Sequence, residues 1–132
     1  MSEISAIRTD DAPAAIGPYS QGIRSGDLVF TSGQLPMRPG GEIIRDDVES
    51  AARQALENVF GVLRAAGAKP ADVIKVTVFL ADLEDFAAVN GVYAEAFAEP
   101  FPARSCVQVA RLPKDAPLEI EAVARIGSTK SG

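Results

Sequence analysis

The chain has 132 residues, 47% of them hydrophobic and 23% charged, and a net charge of −5. This is the composition of an ordinary globular chain with enough apolar mass for a core, and it predicts one domain over residues 1–132. With no histidine and a single cysteine, Cys106, the sequence excludes Ser-His-Asp and Cys-His catalysis, an internal disulfide and almost every zinc site.

In chain order, residues 9–18 are rich in turn formers and small side chains and predict an ordered arm. Residues 19–23 read as a short strand, Ser25-Gly26-Asp27 as a hairpin connection and 28–32 as the return strand. Gly33 follows at once. A glycine just past a strand permits unusual backbone angles or the close approach of a ligand, or simply makes a turn. After a loop over 35–45, a helix starts near Asp46 or Asp47, with Asp46 and Glu49 at capping-box spacing. Its apolar stripe is Val48, Ala52, Ala55, Leu56, Val59 and Leu63, and Gly67 and Pro70 end it.

Residues 73–80 are dense in β-branched side chains and predict a central strand. Asp82 caps a second helix with the core stripe Phe86, Val89, Tyr93 and Phe97. Asn90 falls within that stripe, where a buried amide needs partners, from a loop or from a ligand. Pro102 disfavours helix for Phe101 and opens a strand over 101–109. Arg104, Cys106 and Gln108 alternate there with Ser105, Val107 and Val109. Arg104, at the strand's start, is placed to meet an anion, and its planar fork can hold a carboxylate through two parallel hydrogen bonds. The plainer alternative is a surface ion pair.

A loop with Arg111, Pro113, Lys114 and Pro117 leads to a last strand over 118–126. Leu118, Ile120, Ala122, Ala124 and Ile126 face a core, and Glu119, Glu121, Val123 and Arg125 face the other way. The tail, 127–132, is small and polar and is expected to fray. No basic block suggests nucleic-acid binding, no leader is evident, and no run approaches the roughly 18 apolar residues of a membrane span. A soluble, cytoplasmic protein with no nucleic-acid or membrane partner is expected. The order of elements predicts an α+β sandwich with both helices on one face of a mixed sheet. Thr77, Phe79, Gln108, Glu119, Glu121 and Val123 are expected on the other face, a mixture suited to a partner subunit.

Six segments in this order resemble the RidA family, also called YjgF. They are Ala-Pro-Ala-Ala-Ile-Gly-Pro-Tyr-Ser-Gln at 12–21, Thr-Ser-Gly-Gln at 31–34 and Phe-Ala-Ala-Val-Asn-Gly-Val-Tyr at 86–93. Phe-Pro-Ala-Arg-Ser-Cys-Val at 101–107, Ala-Arg-Leu-Pro-Lys-Asp at 110–115 and Leu-Glu-Ile-Glu-Ala at 118–122 complete them. The resemblance implies a chorismate-mutase-like α+β fold. It implies a homotrimer with a barrel-like centre, and ligand clefts between subunits. The implied activity is hydrolysis of 2-iminobutanoate and 2-iminopropanoate to 2-oxo acids and ammonia, without cofactor or metal. Such imines arise when pyridoxal-phosphate enzymes dehydrate serine or threonine.

By position, the resemblance assigns the substrate carboxylate to Arg104, the orientation of the attacking water to Glu119 and a place beside that water to Cys106. Tyr19, Ser32, Gly33, Asn90 and Pro113 match positions that line the pocket. The chemistry is consistent with these parts, because a protonated imine is already electrophilic and one carboxylate can take a proton from water. Glu121 is the rival base, read here as a structural partner of Arg125 or Lys75. Cys106, with no histidine to activate it, suits packing or water positioning better than nucleophilic attack. Tyr19 suits an aromatic lid or an anchor for the arm. Two other functions use the same residues or relatives: a trimeric regulatory protein that binds small 2-oxo acids without turnover, and an RNA-cleaving or holdase protein. The acidic charge and missing histidine weigh against RNA cleavage.

Overall fold

The computed structural model describes residues 3–129. Six strands form one mixed sheet: β1 (Ile4–Ile7), β2 (Gly22–Ser25), β3 (Leu28–Thr31), β4 (Val73–Leu80), β5 (Ala103–Gln108) and β6 (Leu118–Arg125). Two helices, α1 (Val48–Ala65) and α2 (Phe86–Ala96), complete the α+β architecture. The strand order is β1-β2-β3-β6-β4-β5. Only β4 and β5 are parallel, joined through α2 as a crossover requires.

The core lies between the sheet and the helices. Val76, Val78 and Leu80 of β4, with Leu118, Ile120, Ala122 and Ala124 of β6, pack with Ala52, Ala55, Leu56, Val59 and Leu63 of α1. The expected apolar stripe of α1 is therefore its core face. The N-cap differs from the expected box. Asp47, not Asp46, caps α1, accepting from Glu49 N at 3.1 Å and Ser50 Oγ at 2.7 Å. One residue of offset decides this, because the cap must sit immediately before the first helical turn. At the other end Gly67 takes φ +88, and Gly67 N and Ala68 N close back onto Arg64 O and Leu63 O. Asp82 caps a short 3-10 turn, Leu83–Asp85, that runs directly into α2.

Three further expectations are corrected. β1 has no counterpart in the sequence reading: it is a four-residue edge strand with three exposed positions, too short to show a period. The next strand begins at Gly22, so Tyr19 lies in the preceding loop. Gln108 lies on the helix-facing side, because it is in register with buried Leu80, and its Oε1 accepts from Leu83 N at 2.8 Å. The tail is partly tied: Ser128 N donates to buried Asp72, and residues 130–132 lie outside those described.

The sheet's other face is covered at one end by the chain itself. Phe79 packs with Leu35, Met37, Ile43, Val109, Leu112 and Ala116 in a second, smaller core. Elsewhere Phe30 and Val107 stay exposed. Two buried amides fix the segments around this face. Gln21 donates to Thr9 O, Ala12 O and Pro13 O and accepts from Thr9 N, which holds the arm. Asn58 of α1 donates to Leu35 O and Met37 O at 3.1 and 2.9 Å.

Gly61 gives the arm its seat on α1. A Cβ there would lie 2.5 Å from the Asp11 carbonyl oxygen. Gly61→Ala is therefore expected to destabilise the protein by about 1–3 kcal/mol in urea unfolding, although alanine is the better helix former. An unchanged or raised midpoint would contradict this packing.

Candidate active site

Pairing across β4 sorts the expected site residues into two groups. Residues directly opposite in neighbouring strands share a face, and successive residues alternate. Glu119 pairs with Phe79 and so lies on the face away from the helices. Arg104 and Cys106 pair with buried Val76 and Val78 and so lie on the helix side. Within one chain the arginine and the glutamate are on opposite faces of the sheet.

The glutamate group lines a cleft of about 740 Å³ whose walls include Tyr19, Ser32, Gly33, Pro113 and Glu119. Just past β3, Gln34 and Ile120 exchange two backbone hydrogen bonds, at 2.7 and 3.0 Å. That bridge lays Gly33 against Glu119. A Cβ on Gly33 would sit 1.9 Å from Glu119 Oε2. The glycine does serve a close approach, and what approaches is the glutamate carboxylate. Ser32 Oγ donates to Ser20 O at 2.6 Å, joining the end of β3 to the segment carrying Tyr19.

Pro113 opens a tight turn in which Lys114 and Asp115 hold φ values of 57 and 52. Non-glycine residues rarely adopt this region, and surrounding contacts hold it here. Arg45 donates to Lys114 O, and Arg111 Nε donates to Asp115 Oδ1 at 2.8 Å.

Glu119 is half-buried, and its carboxylate has no hydrogen-bond or ion-pair partner among the described residues. Burial, and then the neighbouring charge of Glu121, push its carboxyl above the ordinary glutamate range. The expected pairing of Glu121 with Arg125 or Lys75 is not formed; Lys75 Nζ donates to Ser105 Oγ at 3.1 Å instead. Glu121 acts on the cleft through its charge.

The arginine group sits between β5 and α2. Arg104 Nη1 donates to Asn90 Oδ1 at 2.7 Å. Its guanidinium carbon lies 4.7 Å from the Tyr93 ring centre and 5.4 Å from that of Phe86. Asn90 is exposed at the edge of the apolar stripe, which corrects its expected burial. No acidic side chain among the described residues pairs with Arg104. Cys106 packs against the main core, and burial pushes its thiol up despite Arg104 nearby. A protonated thiol without a base is a poor nucleophile.

The sequence reading missed Gln21 and Asn58. Asn58 was detectable as a polar residue within a helical apolar stripe; Gln21 carried no such signal. Among the described residues, no cluster of three acidic or thiol side chains could hold a metal ion, and no helix is long and apolar enough to cross a membrane.

Because the Gly33 contact presses the carboxylate into the cleft wall, Gly33→Ala is expected to swing Glu119 toward solvent. Carboxyl-carbon NMR should then titrate Glu119 lower than in the native protein, with the circular dichroism spectrum unchanged. A Glu119 titration identical to native would refute the contact.

Comparison with known proteins gives one consistent result. The family model described as Endoribonuclease L-PSP matches residues 9–126. The 2-iminobutanoate/2-iminopropanoate deaminase of Salmonella typhimurium is 55% identical over 121 residues, covering 89% of this chain and 94% of the relative. Among solved structures, E. coli TdcF with bound serine aligns with a TM-score of 0.86 at 53% identity, covering 92% of this chain and 98% of that one. The YjgF gene product of E. coli aligns at 0.87 and 53% identity, with the same coverage of both chains. This chain belongs to the RidA (YjgF) family.

Proposed function

We propose that this protein hydrolyses 2-imino acids, with 2-iminobutanoate and 2-iminopropanoate as substrates, to 2-oxo acids and ammonia. The observation that carries the reading is Arg104: a fixed cation with no anionic side chain beside it among the described residues. Its unspent donors can take the substrate carboxylate through two parallel hydrogen bonds. The serine bound by E. coli TdcF carries the same carboxylate next to a carbon–nitrogen bond.

With the carboxylate anchored, the C=N carbon is held in one place, and orientation of this kind replaces up to roughly 7–11 kcal/mol of barrier. Glu119 accepts a proton as a water oxygen bonds to that carbon. Glu119 passes that proton to nitrogen; as the carbinolamine C–N bond breaks, the C–O bond becomes C=O, Glu119 takes the hydroxyl proton and releases it to solvent, and the 2-oxo acid and ammonia leave. The raised proton affinity of Glu119 suits a base that must also return its proton. Cys106 packs beside the water.

Arg104 and Glu119 lie on opposite faces of one sheet, so this chemistry needs two chains. In the proposed assembly, a homotrimer, the open sheet faces meet around a barrel-like centre, and the cleft of one subunit receives the Arg104 edge of the next. Exposed Phe30 and Val107 on the open face support this burial. The acidic net charge and the missing histidine argue against RNA cleavage, whatever the family model's description.

The test is a coupled assay in which a pyridoxal-phosphate threonine dehydratase generates the imine and semicarbazide traps what remains. The protein should lower the trapped fraction and speed 2-oxobutanoate release. Arg104→Ala removes two charge-assisted hydrogen bonds of about 1.5–3 kcal/mol each, so kcat/KM should fall on the order of 100-fold or more. Undiminished turnover in that variant would defeat the mechanism; saturable 2-oxobutanoate binding without turnover in the native protein would leave a binding protein. The pH profile gives a second check. A base works only when deprotonated, so the acid limb of kcat/KM should lie above the ordinary glutamate range. Glu121→Gln removes a like charge, lowers the Glu119 pKa and should move that limb to lower pH.

A further inference from the structure

Arg104 is held by neutral groups, and all of them come from one stripe of α2. Phe86, Asn90 and Tyr93 stand at i, i+4 and i+7, spacings that share a helix face. The guanidinium carbon is 5.4 Å from one ring centre and 4.7 Å from the other, both within the range of cation–π attraction. Asn90 takes one N–H. The rings attract the charge without accepting a hydrogen bond from the fork. A carboxylate in their place would hold the arginine as firmly but would neutralise it and occupy the donors that a ligand needs.

Core packing does not account for Phe86, and it accounts for Tyr93 only in part. Phe86 is 38% exposed and lies outside the main buried cluster. Tyr93 belongs to the main buried cluster, its ring 4.8 Å from that of Phe97, and its hydroxyl is buried without a hydrogen-bond partner among the described residues. A phenylalanine would fill the same space without that orphaned group. What both residues share is a ring against Arg104.

Accordingly, we infer that Phe86 and Tyr93 are positioning residues that fix the anion-binding arginine through their ring faces while leaving its charge and donors available. The inference deepens the proposed function and rests on it for the identity of the ligand: a small monocarboxylate 2-imino acid or its 2-oxo product. The cradle acts through the carboxylate, so its effect is independent of the substrate's side chain.

The test uses the full-length protein with Phe86→Leu, Tyr93→Leu and Tyr93→Phe, and reads KM and kcat on 2-iminobutanoate and 2-iminopropanoate. It also reads calorimetric binding of 2-oxobutanoate and the ring-current shift of the Arg104 Nε proton. Removing one exposed cation–π contact should weaken binding about two- to fivefold. Phe86→Leu should therefore raise KM for both imines and the 2-oxobutanoate Kd by about threefold, with kcat within about twofold of native and the Arg104 shift reduced. Tyr93→Phe keeps the ring and should match native, whereas Tyr93→Leu should raise KM as Phe86→Leu does. Tyr93→Phe losing as much as Tyr93→Leu would assign the effect to the hydroxyl and overturn the inference. So would Phe86→Leu with KM, Kd and the Arg104 shift all unchanged. The deaminase reading fails separately: a native protein that turns over neither imine, yet loses 2-oxobutanoate affinity in Phe86→Leu, keeps the cradle and loses the reaction.

Discussion

Strand alternation through β4 is the constraint on which the rest of the molecule depends. β4 pairs with β5 on one side and β6 on the other, so its residues assign a face to every side chain on both neighbours. Val76 and Val78 carry Arg104 and Cys106 to the helix side; Phe79 carries Glu119 to the open side. A one-residue slip in either register would exchange those faces and bury the wrong set. Burial opposes a slip between β4 and β6, since one strand would lose its buried set, Val76, Val78 and Leu80 of β4 or Leu118 and Ile120 of β6. The hydrophobic core thus fixes the separation between cation and base, and with it the need for a second chain in the proposed reaction.

The two half-sites are prepared in opposite electrostatic ways. Arg104 is exposed, and its partners are two rings and a neutral amide, so its charge is held but not compensated. Glu119 is half-buried beside another carboxylate, so its charged form is disfavoured. A group whose ionisation costs free energy in the resting state takes up a proton readily. The supporting structure follows the same division. Buried Gln21 and Asn58 spend their hydrogen bonds on backbone carbonyls of the arm and the 35–45 loop, which form the cleft wall. The backbone there would otherwise have few fixed partners, and loops without them move.

Much of this was legible in the sequence, and the part that was legible is local. The β-branched run at 73–80, the apolar stripe and terminal Gly67 of α1, and the alternation at 118–126 each depend on neighbours within a few residues. So did the pairing of Phe86, Asn90 and Tyr93 on one helix face, although only Asn90 was read as a site residue. The order of six motif segments identified the family, and the anion-seeking character of Arg104 is a property of guanidinium itself.

The tertiary structure decided everything that depends on residues distant in sequence. Gly33 is 86 positions from Glu119, and no local pattern says that the carboxylate comes to rest where a Cβ would be. Gln108 was placed on the wrong face because alternation gives two sets but not which set is buried; register against Leu80 settles that. Charge alone suggests pairing Glu121 with Arg125 or Lys75, but neither pair forms, and Lys75 turns to Ser105 on the other neighbouring strand. Edge strand β1 was invisible because four residues with three exposed carry no period of their own and gain strand structure only by pairing with β2. The sequence by itself determined which elements form and which side chains can do chemistry, because propensity and functional-group chemistry are local. Which face each side chain occupies, and what stands beside it, came only from long-range pairing and burial.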